Sequence, residues 1–144
     1  MIVKFIKLKP SAIVPEQMSS HASGYDLFAC LDEDLSIGLG ERLAIPTGIA
    51  LEIPIGYEAQ IRPRSGLALK LGLGILNSPG TIDADYRGEI KIILVNIGQE
   101  PVLITPSMRI AQIVFTKVET VEFVAVDKLS QTLRESGGFG HTGQ

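Results

Sequence analysis

The sequence predicts an all-β fold, and three observations agree on it. Short apolar runs recur about every ten residues along the chain. Fifteen glycines and eight prolines in 144 residues supply many turns between those runs. Helix signals are scarce by comparison. This combination is typical of a β-sandwich or barrel, and the length fits a single domain.

Seven apolar runs are predicted as strands: 43–45, 49–53, 57–61, 90–95, 102–104, 110–115 and 121–126. Run 90–95 is apolar on both faces over part of its length, and a subunit interface is the simplest place for its second face. The best helical candidate is 65–70, about two turns with Ser65 as the N-cap.

Composition and charge exclude several classes of protein. A net charge of −3 and a pI near 5.4 argue against nucleic-acid or membrane-surface binding, which favour a basic face. Cys30 is the single cysteine, so no internal disulfide forms, and a small buried hydrophobe is its expected role. Residues 1–8 alternate between apolar and charged side chains too strictly for a signal peptide. We expect a cytoplasmic protein that binds neither nucleic acid nor membrane.

Segment 77–89 carries the most chemistry. Pro79 and Gly80 predict a turn between two strands. An amide, two carboxylates, a phenol and a guanidinium follow within a short reach: Asn77, Asp83, Asp85, Tyr86 and Arg87. The segment therefore predicts a site for a small polar ligand, beside a carboxylate that acts on water.

Two further segments suit phosphate. Ser65 and Gly66 open a short predicted helix with free N–H groups, and Arg64 adds a planar fork that matches phosphate oxygens. The alternative is an ordinary helix cap with a solvated arginine. Gln112 lies in an apolar strand, where a buried amide must be hydrogen-bonded. The alternative there is a core amide bonded to neighbouring backbone.

Asp26 stands among small and apolar residues, and two roles are open to it. It bonds backbone amides at the start of a strand, or it belongs to the outer shell of ligands around a metal. The residues alone favour the first, structural role. His21 and His141 lie at opposite ends of the chain, and the sequence contains no zinc-site spacing. Residues 134–144 contain four glycines, which cannot hold a fixed conformation unaided.

Five blocks in order carry a more specific signal: ASGYDLFA, PRSGLALK, NSPGTIDADYRGEI, MRIAQIVF and RESGGFGHTG. Their succession from about Ala22 to Gly143 resembles the five motifs of the trimeric dUTPases. The resemblance implies a distorted jelly-roll β-barrel (β-clip type) over 1–133 and a flexible arm over 134–144. It implies a homotrimer whose sites are built from all three subunits.

The family converts dUTP to dUMP and pyrophosphate with Mg²⁺ carried on the triphosphate, which keeps uracil out of DNA and supplies dUMP for thymidylate synthesis. By resemblance, Asp83 deprotonates the attacking water, and Asp26 meets Mg²⁺ through coordinated water. Asn77 with the hairpin backbone reads uracil, Tyr86 stacks under the deoxyribose, and Phe139 covers the base. The residues expected to bind substrate are Arg64, Ser65, Gly66, Asn77, Gly80, Thr81, Ile82, Tyr86, Lys91, Arg109, Gln112, Arg134, Phe139 and Gly140.

The sequence departs from the family at Glu135, commonly Gly, and at His141, commonly Ser. A carboxylate beside a triphosphate is unfavourable unless it faces solvent. Two alternatives stay open: a deoxycytidine triphosphate deaminase of the same fold, and a non-catalytic trimer that binds nucleotide or a partner.

Overall fold

The computed structural model describes residues 1–137, which contain eleven strands and one short helix. The strands are β1 (Lys4–Lys7), β2 (Tyr25–Phe28), β3 (Leu35–Ile37), β4 (Arg42–Pro46), β5 (Ile49–Glu52), β6 (Tyr57–Arg62), β7 (Leu73–Ile75), β8 (Gly80–Ile82), β9 (Lys91–Asn96), β10 (Val102–Ile104) and β11 (Arg109–Lys117). The helix, α1, spans Ser65–Leu71. The predicted all-β fold with one short helix is confirmed.

The strands form four antiparallel sheets. The largest has the order β2-β11-β6-β8, the next β4-β9-β7, and β1-β5 and β10-β3 are two-stranded. Strand β11 is hydrogen-bonded on both edges, and its Gln112 lies opposite Asp26 on one side and Arg62 on the other. This register brings two of the sequence-predicted site residues side by side.

The core is filled by the inward faces of these strands. In β9, Ile92 and Leu94 are fully buried, whereas Ile93 and Val95 on the other face are only half-buried. Buried Asn96 ends the strand and satisfies its amide with the carbonyls of Ile37 and Glu100 and the N–H of Gly98. The predicted second apolar face of run 90–95 is therefore present.

The N-cap of helix α1 lies one residue earlier than the prediction. Ser65 is its first helical residue, and Arg64, in extended conformation, is the N-cap with no side-chain cap hydrogen bond. The prediction of Ser65 as the cap is therefore wrong. The helix ends at Gly72, whose φ of 64° is left-handed and whose N–H donates to the carbonyls of Ala68 and Leu67.

Residues 118–137 form neither helix nor strand. The predicted strand over 121–126 is wrong, and Phe123 within it is 95% exposed. Strand composition alone does not form a strand, and within residues 1–137 this run pairs with no other strand. Regular structure thus ends at Lys117, ahead of the expected barrel boundary at 133, which stays a prediction.

Two exposed ion pairs lie on the surface of the barrel, and none of their four residues lines the groove described below. A 2.8 Å hydrogen bond from Lys4 on β1 lowers the pKa of Glu52 on β5. The equivalent bond from Lys9 to Asp32 raises the pKa of Lys9. Among residues 1–137, no helix has the length and apolarity required to cross a membrane.

Candidate active site

The predicted turn joins β7 to β8 and contains a cis bond between Ser78 and Pro79. Because β7 pairs with β9 and β8 pairs with β6, the two strands lie in different sheets and are not paired with each other; segment 76–82 is here called the hairpin after the expectation from the sequence. Gly80 opens β8 directly beneath the Asn77 side chain: a Cβ on Gly80 would lie 3.1 Å from Asn77 Nδ2. A larger residue at position 80 would push the amide away. Strand β8 is fixed by pairing with β6, and Asp83 follows its last residue.

A groove of about 450 Å³ opens beside this hairpin. It is lined by Ala44, Thr81, Ile82, Asp83, Tyr86, Glu89, Lys91 and Ile93. The N–H of Tyr86 donates to the carbonyl of Asp83 over 3.1 Å, so a tight turn brings both side chains to one groove. The turn that the sequence requires for a shared ligand is therefore present.

The Tyr86 ring is held from two sides while 45% of the residue stays exposed. Its hydroxyl donates to the carbonyl of Glu89 over 3.0 Å. Gly88 lies against the ring, because a Cβ there would collide with the phenol oxygen and its carbon. The ring is thus a fixed, accessible wall of the groove.

A second group of predicted residues, here called the arginine cluster, consists of Asp26, Arg64 and Arg109. Asp26 is 9% exposed, and its two carboxylate oxygens lie 3.3 Å from Arg64 Nε and 3.3 Å from Arg109 Nη1. Arg64 also donates to the Arg109 carbonyl over 3.1 Å. One buried carboxylate therefore orients two guanidinium groups, which are 26% and 44% exposed.

Gln112 adjoins this cluster through the register of β11. Its amide nitrogen donates to the Pro63 carbonyl over 3.0 Å, which ties β11 to the loop that leads into α1. Its amide oxygen lies against Gly24, where a Cβ would collide with it. The half-buried Gln112 amide is therefore bonded to backbone, which agrees with the alternative interpretation given in the sequence analysis. Its partner, Pro63, immediately precedes Arg64 in the chain.

The start of the predicted arm forms a local turn. Arg134 donates to the Gly137 carbonyl over 2.8 Å, and the Gly137 N–H donates back to Arg134 over 2.9 Å. The Glu135 carboxylate accepts the N–H of Thr132, whose hydroxyl accepts the N–H of Glu135. Phe139, Gly140 and His141 lie outside the described residues.

Within residues 1–137, His, Cys, Asp and Glu form no group of three or more that is arranged to hold a metal ion. Both oxygens of the Asp26 carboxylate already face guanidinium groups.

The two groups of residues are separate in the chain's own fold. In the described part of the chain, neither the arginine cluster nor Ser65, Gly66 or Asn77 lines the groove. A larger cavity of about 580 Å³ lies between the end of α1 and the β9–β10 loop, but it contains none of the predicted site residues. The smaller groove is the better candidate because a carboxylate, a phenol and an ammonium converge on it.

Sequence reasoning missed three residues of the groove: Ala44, Glu89 and Ile93. Ala44 and Ile93 are register partners on β4 and β9, so only the sheet topology reveals them. Glu89 had a signal, because residues 89 and 91 share a face of an extended strand and carry opposite charges.

Comparison with known proteins agrees with this architecture. The sequence model of the dUTPase family matches residues 10–143. The deoxyuridine 5'-triphosphate nucleotidohydrolase of Chlamydia muridarum is 52% identical over 141 residues, 97% of each chain. A mutant Staphylococcus bacteriophage 80alpha dUTPase, solved with dUpNHpp, superimposes with a TM-score of 0.87 at 27% identity over 99% of each chain.

A mutant dUTPase of S. aureus phage phi11, described with a coordinated structural Mg(II) ion, superimposes with a TM-score of 0.80 at 25% identity. That comparison covers 89% of this chain and 98% of the phage chain. By the match to nearly its whole length and by the identity to the curated relative, this chain belongs to the dUTPase family.

Proposed function

We propose that this protein hydrolyses dUTP to dUMP and pyrophosphate. The observation that carries the proposal is the groove in which Asp83 and Tyr86 meet on one tight turn, in a chain of the dUTPase family. The nucleotidohydrolase name of the C. muridarum relative and the dUpNHpp in the phage 80alpha structure support the same substrate.

Base selection is assigned to the hairpin. Its main-chain groups and the Asn77 amide pair with the edge of uracil, and Gly80, Thr81 and Ile82 provide the backbone at that position. A cytosine amine would present a donor to a donor, and leaving such a group unpaired costs about 1–3 kcal/mol. A thymine methyl would meet backbone. Selection is therefore by hydrogen-bond polarity and shape.

The chemical step is assigned to Asp83. Its carboxylate accepts a proton from water and directs the oxygen at the α-phosphorus, which forms the new P–O bond while the bond to pyrophosphate breaks. Tyr86 packs under the deoxyribose and leaves no space for a 2′-hydroxyl. Since both side chains line the same groove, one nucleotide reaches both.

Phosphate binding is assigned to Lys91 in the groove and to a set of residues outside it: Arg64, Ser65, Gly66, Arg109, Gln112 and Arg134. Guanidinium groups held in place by Asp26 neutralise charge without reorganising during the reaction. Mg²⁺, when bound to the triphosphate, supplies further charge neutralisation, and Asp26 fits the role of holding it through water.

A homotrimer is proposed as the working state, in which neighbouring subunits bring the separate groups together. The exposed apolar side chains after β11 support this assignment, Phe123 and Leu129 being 95% and 81% exposed. Phe139 and Gly140 would then close over the nucleotide of a neighbour. We further propose that the enzyme acts in the cytoplasm. Light scattering in solution tests the assembly, and a monomer at micromolar concentration would contradict it.

The activity test compares two neighbouring carboxylates. Asp83→Asn should lower kcat for dUTP about 100- to 10,000-fold, because it removes the base but keeps the shape of the side chain. Asp85→Asn is the matched control, since exposed Asp85 is outside the groove, and its kcat should stay close to wild type. Undiminished hydrolysis by Asp83→Asn with an intact fold would overturn the mechanism.

Substrate identity is tested with Mg²⁺ and dUTP, dTTP, dCTP and UTP in separate reactions, following pyrophosphate and ammonia. Cleavage of dUTP alone supports the proposal. Ammonia from dCTP would identify the deaminase instead, and binding of dUTP without cleavage would identify a non-catalytic trimer.

A further inference from the structure

Glu89 is a charged residue of the groove to which neither the sequence nor the proposed mechanism gives a role. Its side chain is 23% exposed, and one carboxylate oxygen accepts the N–H of Gly48 over 2.9 Å. The other oxygen lies 3.8 Å from the Lys91 ammonium. A charged group that is mostly withdrawn from water and bonded to backbone requires a structural or functional reason.

The anchor at Gly48 is rigid. Its φ is 67°, and a Cβ there would lie 2.7 Å from Ala12 Cβ and 2.8 Å from Cys30 Sγ, so only glycine fits. Next to it, the Thr47 hydroxyl donates to the Ile90 carbonyl over 2.7 Å, and the Ile90 N–H donates to Ile49 over 2.9 Å. The turn at 47–49 therefore holds the base of segment 86–90.

The Tyr86 hydroxyl rests on this same segment. It donates to the main-chain carbonyl of Glu89, so the residue whose side chain is bonded to Gly48 also holds the phenol with its backbone. Without the carboxylate, residues 86–89 would pivot about Ile90, and the Tyr86 ring would move with them. The Tyr86 ring excludes the 2′-hydroxyl of a ribonucleotide only if the ring is fixed to within a few tenths of an ångström.

We infer that Glu89 is a positioning residue for Tyr86 and that it sets the discrimination between deoxyribose and ribose nucleotides. This inference rests on the proposed function, in which Tyr86 excludes the 2′-hydroxyl. Glu89 acts through Tyr86 and not on the reacting atoms.

The test measures kcat/KM for dUTP and for UTP in four proteins. Glu89→Ala should lower the dUTP/UTP ratio about tenfold, the value of one lost hydrogen bond. Glu89→Gln should restore the ratio, because its amide oxygen also accepts the Gly48 N–H. Glu41→Ala is the matched control: Glu41 accepts the N–H of Gly38 over 2.8 Å in the same manner but lies outside the groove, so its ratio should not change.

Two results would overturn the inference. An unchanged ratio in Glu89→Ala means that the carboxylate does not position the ring, and a Glu89→Gln ratio as low as that of Glu89→Ala means that charge beside Lys91 matters instead. If wild type cleaves neither nucleotide, the proposed function and the inference fail together. If wild type prefers dUTP and Glu89→Ala does so equally, only the inference fails.

Tyr86→Phe provides a second arm in case Glu89→Ala does not fold. It removes the bond to the Glu89 carbonyl without altering Glu89, and the ratio should fall in the same direction. In the double variant Tyr86→Phe/Glu89→Ala, the dUTP/UTP ratio should be no lower than in the more affected single variant, because both changes break the same chain of contacts. Additive losses in the dUTP/UTP ratio would mean that Glu89 and Tyr86 act independently, which would contradict the inference.

Discussion

The two halves of the candidate site are built by different means. The hairpin half is held by main-chain hydrogen bonds and strand pairing, with Gly80 and Gly88 leaving space for Asn77 and Tyr86. The arginine cluster is held mainly by ion pairs between side chains: both guanidinium groups face Asp26, and Arg64 also donates to the Arg109 carbonyl. Backbone geometry suits the reading of an uncharged base and sugar, whereas cationic side chains suit a triphosphate. Selectivity and charge neutralisation should therefore be separable by mutation.

Among the variants that separate the two halves, Asp26→Asn should have the largest effect on the rate of dUTP hydrolysis. Releasing Arg64 and Arg109 from their shared carboxylate should lower kcat/KM for dUTP about 100-fold, the scale of an ångström-sized misplacement. The preference for dUTP over dTTP should stay at the wild-type value, because the hairpin is untouched. Steady-state kinetics on both nucleotides measure the two quantities together.

Circular dichroism of the same variant controls for folding, since Asp26 is buried against two cations. A loss of base preference alongside the loss of rate would show that the halves are not independent.

Gly24→Ala probes Gln112, which adjoins the arginine cluster, with a smaller expected effect. The added Cβ would collide with the Gln112 amide oxygen and displace the side chain from Pro63. We expect a decrease of about tenfold in kcat/KM for dUTP, the value of one well-placed hydrogen bond.

Gly38→Ala is its control, because a Cβ there would meet Glu41 at an ordinary 3.4 Å and lies outside the site. Equal activity of the two alanine variants would remove Gln112 from the site.

Glu52→Gln should have the smallest effect, because the Lys4–Glu52 pair is exposed and outside both halves. Lys4 holds the folded-state pKa of Glu52 below its ordinary value of 4.5. The pair therefore stabilises the fold above that value, and the contribution disappears as pH falls through the folded-state pKa. The variant should melt slightly below wild type at pH 7, and the difference in Tm should disappear once the pH is below the folded-state pKa of Glu52. A difference that persists at the lower pH would contradict the ion-pair account.

The sequence predicts the hairpin half better than the arginine half. Turn chemistry at Pro79 and Gly80 is local, so the tight turn that joins Asp83 to Tyr86 follows from neighbouring residues. The contact of Asp26 with Arg64 and Arg109 joins residues 38 and 83 positions apart, and no local pattern reveals it.

The errors have the same origin. Run 121–126 has strand composition, but a strand forms only with a pairing partner, and in the described part of the chain this run has none. Ser65 has a good capping side chain, yet the chain enters α1 extended at Arg64, so the helix begins at Ser65 itself. In both cases local preference was overridden by tertiary placement.

Hydrolysis of dUTP in water enriched with ¹⁸O, with mass spectrometry of both products, tests the central claim most directly. If Asp83 directs water at the α-phosphorus of a nucleotide in the hairpin groove, the label appears in dUMP and the pyrophosphate carries none. Label in the pyrophosphate would place the attack at another phosphorus and contradict the account.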